Sequence, residues 1–234
     1  RGVKEAGKAF ALPTYFFVGC MFIVFGMGLY RLANGTLPVL DTNLPGAVHV
    51  GEAQGLLTFS AIFILLRAFA NGGSSLTGLE AISDGVALFK TPEHVNAKRT
   101  LVIMSTLLGT LVLGVSYFAH HIHAMPYESG VPTVISQIAK AAVGTGTFGS
   151  IMFILVQLAT MLILFAGANT TFSAFPLLVN FVATDGYLPR QLTKRGHRLA
   201  FSNGILLLAG GGALLVAITA GSVEHLVAFY ALGV

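Results

Sequence analysis

LLTFSAIFILLRAFANGGSSLTGLEAISDGVALF, residues 56–89, is a 34-residue apolar element interrupted in its middle by Ala70-Asn71-Gly72-Gly73-Ser74-Ser75. An apolar run of this kind belongs in a bilayer, where a crossing needs about 20 mostly apolar helical residues. Unwound backbone is costly there, because free N–H and C=O groups find no water in lipid. It is tolerated where it lines a cavity or is buried in protein. Glycines at 72 and 73 permit irregular backbone angles, and the hydroxyls of Ser74 and Ser75 can restart a helix as N-caps. The stretch therefore predicts a discontinuous membrane helix, broken at 70–75. A kinked span with packing glycines and no ligand is the plainer alternative.

The rest of the chain repeats the apolar pattern. Residues 10–30, with Pro13 near the start, form one predicted span, 101–119 another, and 150–168 a third that extends through Asn169-Thr170-Thr171 to about 184. Residues 205–219 are shorter but apolar, and 223–234 begin a further span that is cut off. Only 9% of residues are charged and 55% are hydrophobic; a soluble domain carries roughly 25% charged residues to cover its surface. The fold class expected is all-α integral membrane: five full transmembrane helices plus the start of a sixth, one of them discontinuous. Because the chain opens at Arg1 and stops inside an apolar stretch, residues 1–234 read as a fragment of a single transmembrane domain.

Basic residues set the orientation. Arg1, Lys4 and Lys8 precede the first span, Lys90, Lys98 and Arg99 lie between the second and third, and Arg190, Lys194, Arg195 and Arg198 between the fourth and fifth. The intervening connections carry Arg31 alone and Lys140 alone. This alternation predicts that the Arg1 end is cytoplasmic in a multi-pass protein of the cell membrane. On the outer side, 34–51 reads as an irregular connection, and 132–142 as a short amphipathic helix lying on the surface with Gln137 and Lys140 outward.

Two charges flank the interruption, Arg67 about one turn before it and Glu80 about one turn after. Either costs on the order of 2.5–3.5 kcal/mol near the bilayer centre, so both should face the protein interior. Thr77 stands three residues before Glu80, which puts hydroxyl and carboxylate on one helix face. Carboxylate, hydroxyl and loose carbonyls together suit a hard cation or a proton. Secondary transporters place such sites at broken helices. Arg67 reads better as an anchor, since it would repel a cation, and Asp84 as a gate or surface residue. A structural ion pair between Arg67 and Glu80 is the alternative.

Other motifs carry less. Gly144-Thr145-Gly146-Thr147-Phe148-Gly149 matches G-x-G-x-x-G, but a dinucleotide fold needs a strand before it, and here an amphipathic helix precedes. His120, His121 and His123 cluster at the outer end of the third span and read as interfacial polar residues rather than metal ligands. Cys20 lies in an apolar run and can make no intrachain disulfide. The net charge of +4 is spread over short loops rather than in a stripe, which argues against nucleic acid. No cofactor is called for, no metal beyond a transported cation, and no nucleophile–base pair suggests an enzyme.

Leu66-Arg67-Ala68-Phe69-Ala70-Asn71-Gly72-Gly73-Ser74-Ser75-Leu76-Thr77-Gly78-Leu79-Glu80-Ala81-Ile82-Ser83 resembles the sixth membrane helix of KimA-type potassium importers, of the KUP family within the amino acid–polyamine–organocation (APC) superfamily. Phe10-Ala11-Leu12-Pro13-Thr14-Tyr15, Ala168-Asn169-Thr170-Thr171-Phe172, Asp185-Gly186-Tyr187-Leu188-Pro189-Arg190 and Phe201-Ser202-Asn203-Gly204 are similar to the same family. The resemblance implies a partial LeuT-like fold, helices five to nine and the start of ten, and proton-coupled potassium uptake by alternating access. It implies that Thr77 and Glu80 lie on the ion pathway, and that Tyr230 sits at a cytoplasmic-side gate or inner site. In that reading Thr77 and the backbone from Asn71 to Ser74 line the central cavity. The partners expected are potassium, protons and the lipid bilayer, and a homodimer is one oligomeric state open to the chain. An amino acid permease of the same superfamily, meeting a substrate's carboxylate and ammonium with half-helix dipoles, is the competing function.

Overall fold

A computed structural model describes residues 2–42, 45–47, 58–73, 86, 89–127, 130–193 and 202–233. Among these residues the structure is helical: α1 Gly2–Ala33, α2 Phe59–Gly73, α3 Glu93–His121, α4 Val134–Val143, α5 Thr147–Thr184, α6 Ser202–Ile218 and α7 Val223–Gly233, with a 3-10 turn at Arg190–Thr193. No β-strand occurs among the described residues, only an isolated antiparallel bridge between Ala47 and Tyr127. Among the described residues three helices are long and apolar enough to cross a membrane: Ala11–Ala33 within α1, α3 and α5. At 1.5 Å per residue α5, with 38 residues, is about 57 Å long, against a hydrocarbon core of about 30 Å. Among the described residues the fold is all-helical, with helices of membrane-crossing length and composition.

The helices outrun the apolar windows that announce them. α3 starts at Glu93, so Lys98 and Arg99 belong to a helix and not to a loop, and α1 likewise takes in Lys4 and Lys8. Pro13 and Pro176 sit inside α1 and α5. Membrane helices accommodate proline because neighbouring groups re-satisfy the carbonyl it frees. Pro176 also leaves little room at Gly204 of α6, where a Cβ would lie 3.0 Å from its Cα and Cβ. Threonine hydroxyls on the apolar spans turn back on the helix: Thr110 Oγ1 donates to the Thr106 carbonyl at 2.8 Å and Thr160 Oγ1 to that of Val156 at 2.7 Å. A hydroxyl tied to the preceding turn presents its methyl to lipid without an orphaned donor.

Four helices stop in the same way. At the end of α1 the Gly35 amide donates to Leu32 at 3.0 Å and the Thr36 amide to Arg31 at 2.8 Å, the paired bonds of a Schellman motif. The motif recurs after α5, with Gly186 and Tyr187 donating to Ala183 and Val182. It demands a left-handed residue, supplied by Gly35 and Gly186 in these two cases. α3 and α6 end on the same bonds, but the left-handed residue is His123 (φ 53°) or Ala220 (φ 49°).

The chain divides into two compact units. The first comprises residues 1–26 and 143–222; in it α5 packs on α6 and both meet the 3-10 turn. The Asn203 side chain donates to the Gln191 carbonyl at 2.7 Å and ties the start of α6 to that turn. Along α5, Met152, Val156 and Ala159 are buried, a spacing of three to four residues that marks one helix face. Gly149 opens this face, and a Cβ there would strike the backbone carbonyls of Gly144 and Val143. The glycine-rich sequence at 144–149 thus serves a tight helix-to-helix turn between α4 and α5.

The second unit comprises residues 27–142 and 223–234, and here α2 and α7 touch. Its core gathers where α1 and α3 end: Phe118, Ile122 and Ile138 are 2% exposed or less, and the Leu40 amide donates to the Ile122 carbonyl at 2.9 Å. The helix expected over 132–142 is α4, with a correction: it does not lie on the surface, since residues 137–139 and 141–143 are buried. Lys140 is exposed, whereas Gln137 is buried at 7%. Its amide accepts from the Met125 N–H at 3.2 Å and donates to the carbonyls of Met125 at 2.7 Å and Pro132 at 3.0 Å. Buried loop backbone needs partners, and this glutamine supplies them. Arg31, at the end of α1, donates from Nη1 to the Ala141 carbonyl at 3.1 Å and so holds the last turn of α4.

Candidate functional site

α2 carries the first half of the expected site. It is helical through Gly73, so Ala70, Asn71, Gly72 and Gly73 still belong to a regular helix. The break expected at 70–75 therefore does not fall at 70–73, and 74–75 lie outside the described residues. Ser74, Thr77 and Glu80, together with Asp84, lie outside the described residues, as do the side chains of Arg67 and Asn71. A Cβ at Gly72 or Gly73 would meet nothing within 4 Å. Packing among the described residues therefore does not require glycine at either position.

Tyr230 lies on α7 and is 46% exposed. Because α2 and α7 pack together, the helix bearing Asn71 and the helix bearing Tyr230 are neighbours in the second unit. The structure thus brings together two elements that sequence separates by about 150 positions. No charged side chain among the described residues is buried; Gln137 and Thr219 are the buried polar ones.

In the first unit, Asn169, Thr170 and Thr171 form an exposed polar step on α5. Thr170 Oγ1 donates to the Gly167 carbonyl at 2.6 Å, and Thr171 Oγ1 reaches the same oxygen at 3.5 Å. In the sequence this segment continues a span and forms part of the family resemblance, without a site role.

The histidines at the end of α3 make local contacts. The His121 Nδ1 lies 2.9 Å from the Tyr117 carbonyl, and the ring rests on Tyr117 with centroids 4.2 Å apart. His120 meets His121 edge to face at 5.7 Å, and His123 supplies the left-handed residue that ends the helix. Among the described residues no three histidine, cysteine, aspartate or glutamate side chains converge to hold a metal.

Comparison with known proteins adds what these residues leave open. The chain is 39% identical to "Potassium transporter KimA" of Bacillus subtilis (strain 168) over an alignment of 236 residues, which takes in all of this chain and 36% of that relative. The chain thus spans about a third of the relative's length, and the likeness read from residues 66–83 extends over the whole of it. The family model described as "Amino acid permease" matches residues 1–234. With that match running from the first residue to the last of an all-helical membrane chain, the protein belongs to the amino acid permease family.

Proposed function

We propose that this chain is part of a secondary transporter that takes up potassium together with protons by alternating access. Identity of 39% to a potassium transporter over all of this chain carries the reading. Glu80 binds the cation or takes the proton, Thr77 offers its hydroxyl one turn earlier, and backbone from Asn71 to Ser74 lines the cavity. Tyr230, on the helix packed against α2, closes or lines the inner side. An acid in a membrane helix is costly unless it faces an interior cavity, and that cost makes Glu80 a functional residue by default. The transporter is a multi-pass protein of the cell membrane with the Arg1 end in the cytoplasm, and a homodimer is its proposed assembly. Its work is transport, with no bond made or broken.

An uptake-deficient strain carrying the full-length protein tests the reading on limiting potassium. Wild type restores growth; Glu80→Gln and Thr77→Val lower potassium uptake by tenfold or more at unchanged membrane expression. Normal growth with both variants removes these residues from the mechanism. A second reading, amino acid uptake, is favoured by the description of the matching family. Uptake of radiolabelled amino acids without rescue on low potassium would replace the first reading with this one.

A further inference from the structure

The first three turns of α3 carry a feature that lies outside the proposed ion pathway. His94, Lys98 and Val102 form one row at helical i, i+4 spacing, and Val95, Arg99 and Ile103 form the adjacent row. Together these six residues line a groove of about 650 Å³. His94, Lys98 and Arg99 are exposed, as are Val102 at 56% and Ile103 at 66%. The groove changes character along its length: cationic where the helix emerges, apolar from Val102 onward, where the continuous apolar run of α3 begins at Leu101. That is the order in which a phospholipid presents its own chemistry, phosphate first and acyl chain below.

We infer that this groove seats one anionic phospholipid. Its phosphate lies among His94, Lys98 and Arg99, and the start of an acyl chain runs over Val102 and Ile103. The argument for this occupant is charge complementarity joined to depth. Arginine's planar fork meets two phosphate oxygens at once and lysine adds a point charge. Lysine and arginine side chains can lay their methylenes along apolar surface while their charged heads stay in the headgroup layer. A zwitterionic lipid carries its own ammonium beside the phosphate, which competes with Lys98 and Arg99. With the Arg1 end cytoplasmic, the groove opens to the inner leaflet, where anionic lipids attract basic residues.

Native mass spectrometry of the full-length protein in detergent tests the site, with phosphatidylglycerol and phosphatidylcholine titrated separately. Wild type is expected to retain one phosphatidylglycerol at concentrations where phosphatidylcholine is lost. Lys98→Gln/Arg99→Gln is expected to weaken that retention by about tenfold or more, because each basic residue near a membrane surface contributes measurably to anionic lipid binding. Lys98→Arg, which keeps the charge, retains it. Arg99→Gln alone gives the same readout with a smaller loss, should the double variant not purify as folded protein. Equal phosphatidylglycerol retention by wild type and the charge-removing variants overturns the proposal. So does equal retention of phosphatidylcholine, or displacement of the lipid by millimolar inorganic phosphate, which would mark a site for free phosphate.

Discussion

Gly28 and Phe118 decide how closely the end of α1 can approach α3. A Cβ at Gly28 would lie 2.6 Å from the Phe118 ring, and that ring is 2% exposed, so it has no free space to enter. Gly28→Ala should destabilise the purified full-length protein by about 1–3 kcal/mol, the usual cost of overpacking, read as a lower thermal midpoint in detergent. Phe118→Leu makes room, so the double variant should be more stable than the two single losses added together. The left-handed helix ends allow a prediction of opposite sign. A side chain in that conformation costs roughly 1–2 kcal/mol, partly offset in glycine by the greater freedom of its unfolded chain. Ala220→Gly and His123→Gly should therefore each stabilise by about 0.5–1 kcal/mol. For His123 this also separates a backbone role from a metal-binding one, since a ligand's loss would not raise the midpoint in metal-free buffer.

Among the elements, α4 shows how far the sequence could be read. Its position was legible: 132–142 was expected and Val134–Val143 is found. The fate of Gln137 was not. Periodicity sorts residues by polarity, and a glutamine is assigned to water unless something inside needs it. That need arises from the backbone at Met125 and Pro132, which only the folded connection between α3 and α4 brings within reach. Gln137→Leu keeps much of the volume and removes all three hydrogen bonds. An unpartnered buried donor costs about 1–3 kcal/mol, and the loss should appear locally, as faster hydrogen exchange of the Met125 amide, before it appears in the global midpoint. The start of α3 was missed for a related reason. Apolar content marks only the apolar part of a helix, and Glu93 to Thr100 are helical before that part begins. For α5 the apolar signal sufficed, and Thr147–Thr184 contains the whole expected range of 150–184.

On the scale of the molecule, membrane class was written in composition, and the family in residue identities that hold over the full chain. The proposed site was legible only as chemistry: Glu80 and Thr77 stand out because an acid inside an apolar element is expensive. Tyr230 carries no such signal, and the nearness of its helix to α2 comes from packing between helices far apart in sequence. Orientation is the remaining property of the whole chain that sequence alone proposes, and it can be tested directly. Thr36 and Thr145 are exposed in connections that follow α1 and precede α5, and Lys90 and Asp185 are exposed before α3 and after α5. The alternation of basic connections places the first pair outside the cell and the second pair inside. Cys20 is buried at 4%, so it should contribute little background when a single cysteine is added to a full-length background lacking other reactive cysteines. A membrane-impermeant maleimide applied to intact cells should label Thr36→Cys and Thr145→Cys at least tenfold more than Lys90→Cys and Asp185→Cys, and permeabilisation should bring all four to similar levels. The reverse pattern would invert the protein, and with it the leaflet proposed for the groove on α3. Labelling of Thr36→Cys and Lys90→Cys from the same side would mean that 56–89 enters the bilayer and returns without crossing it.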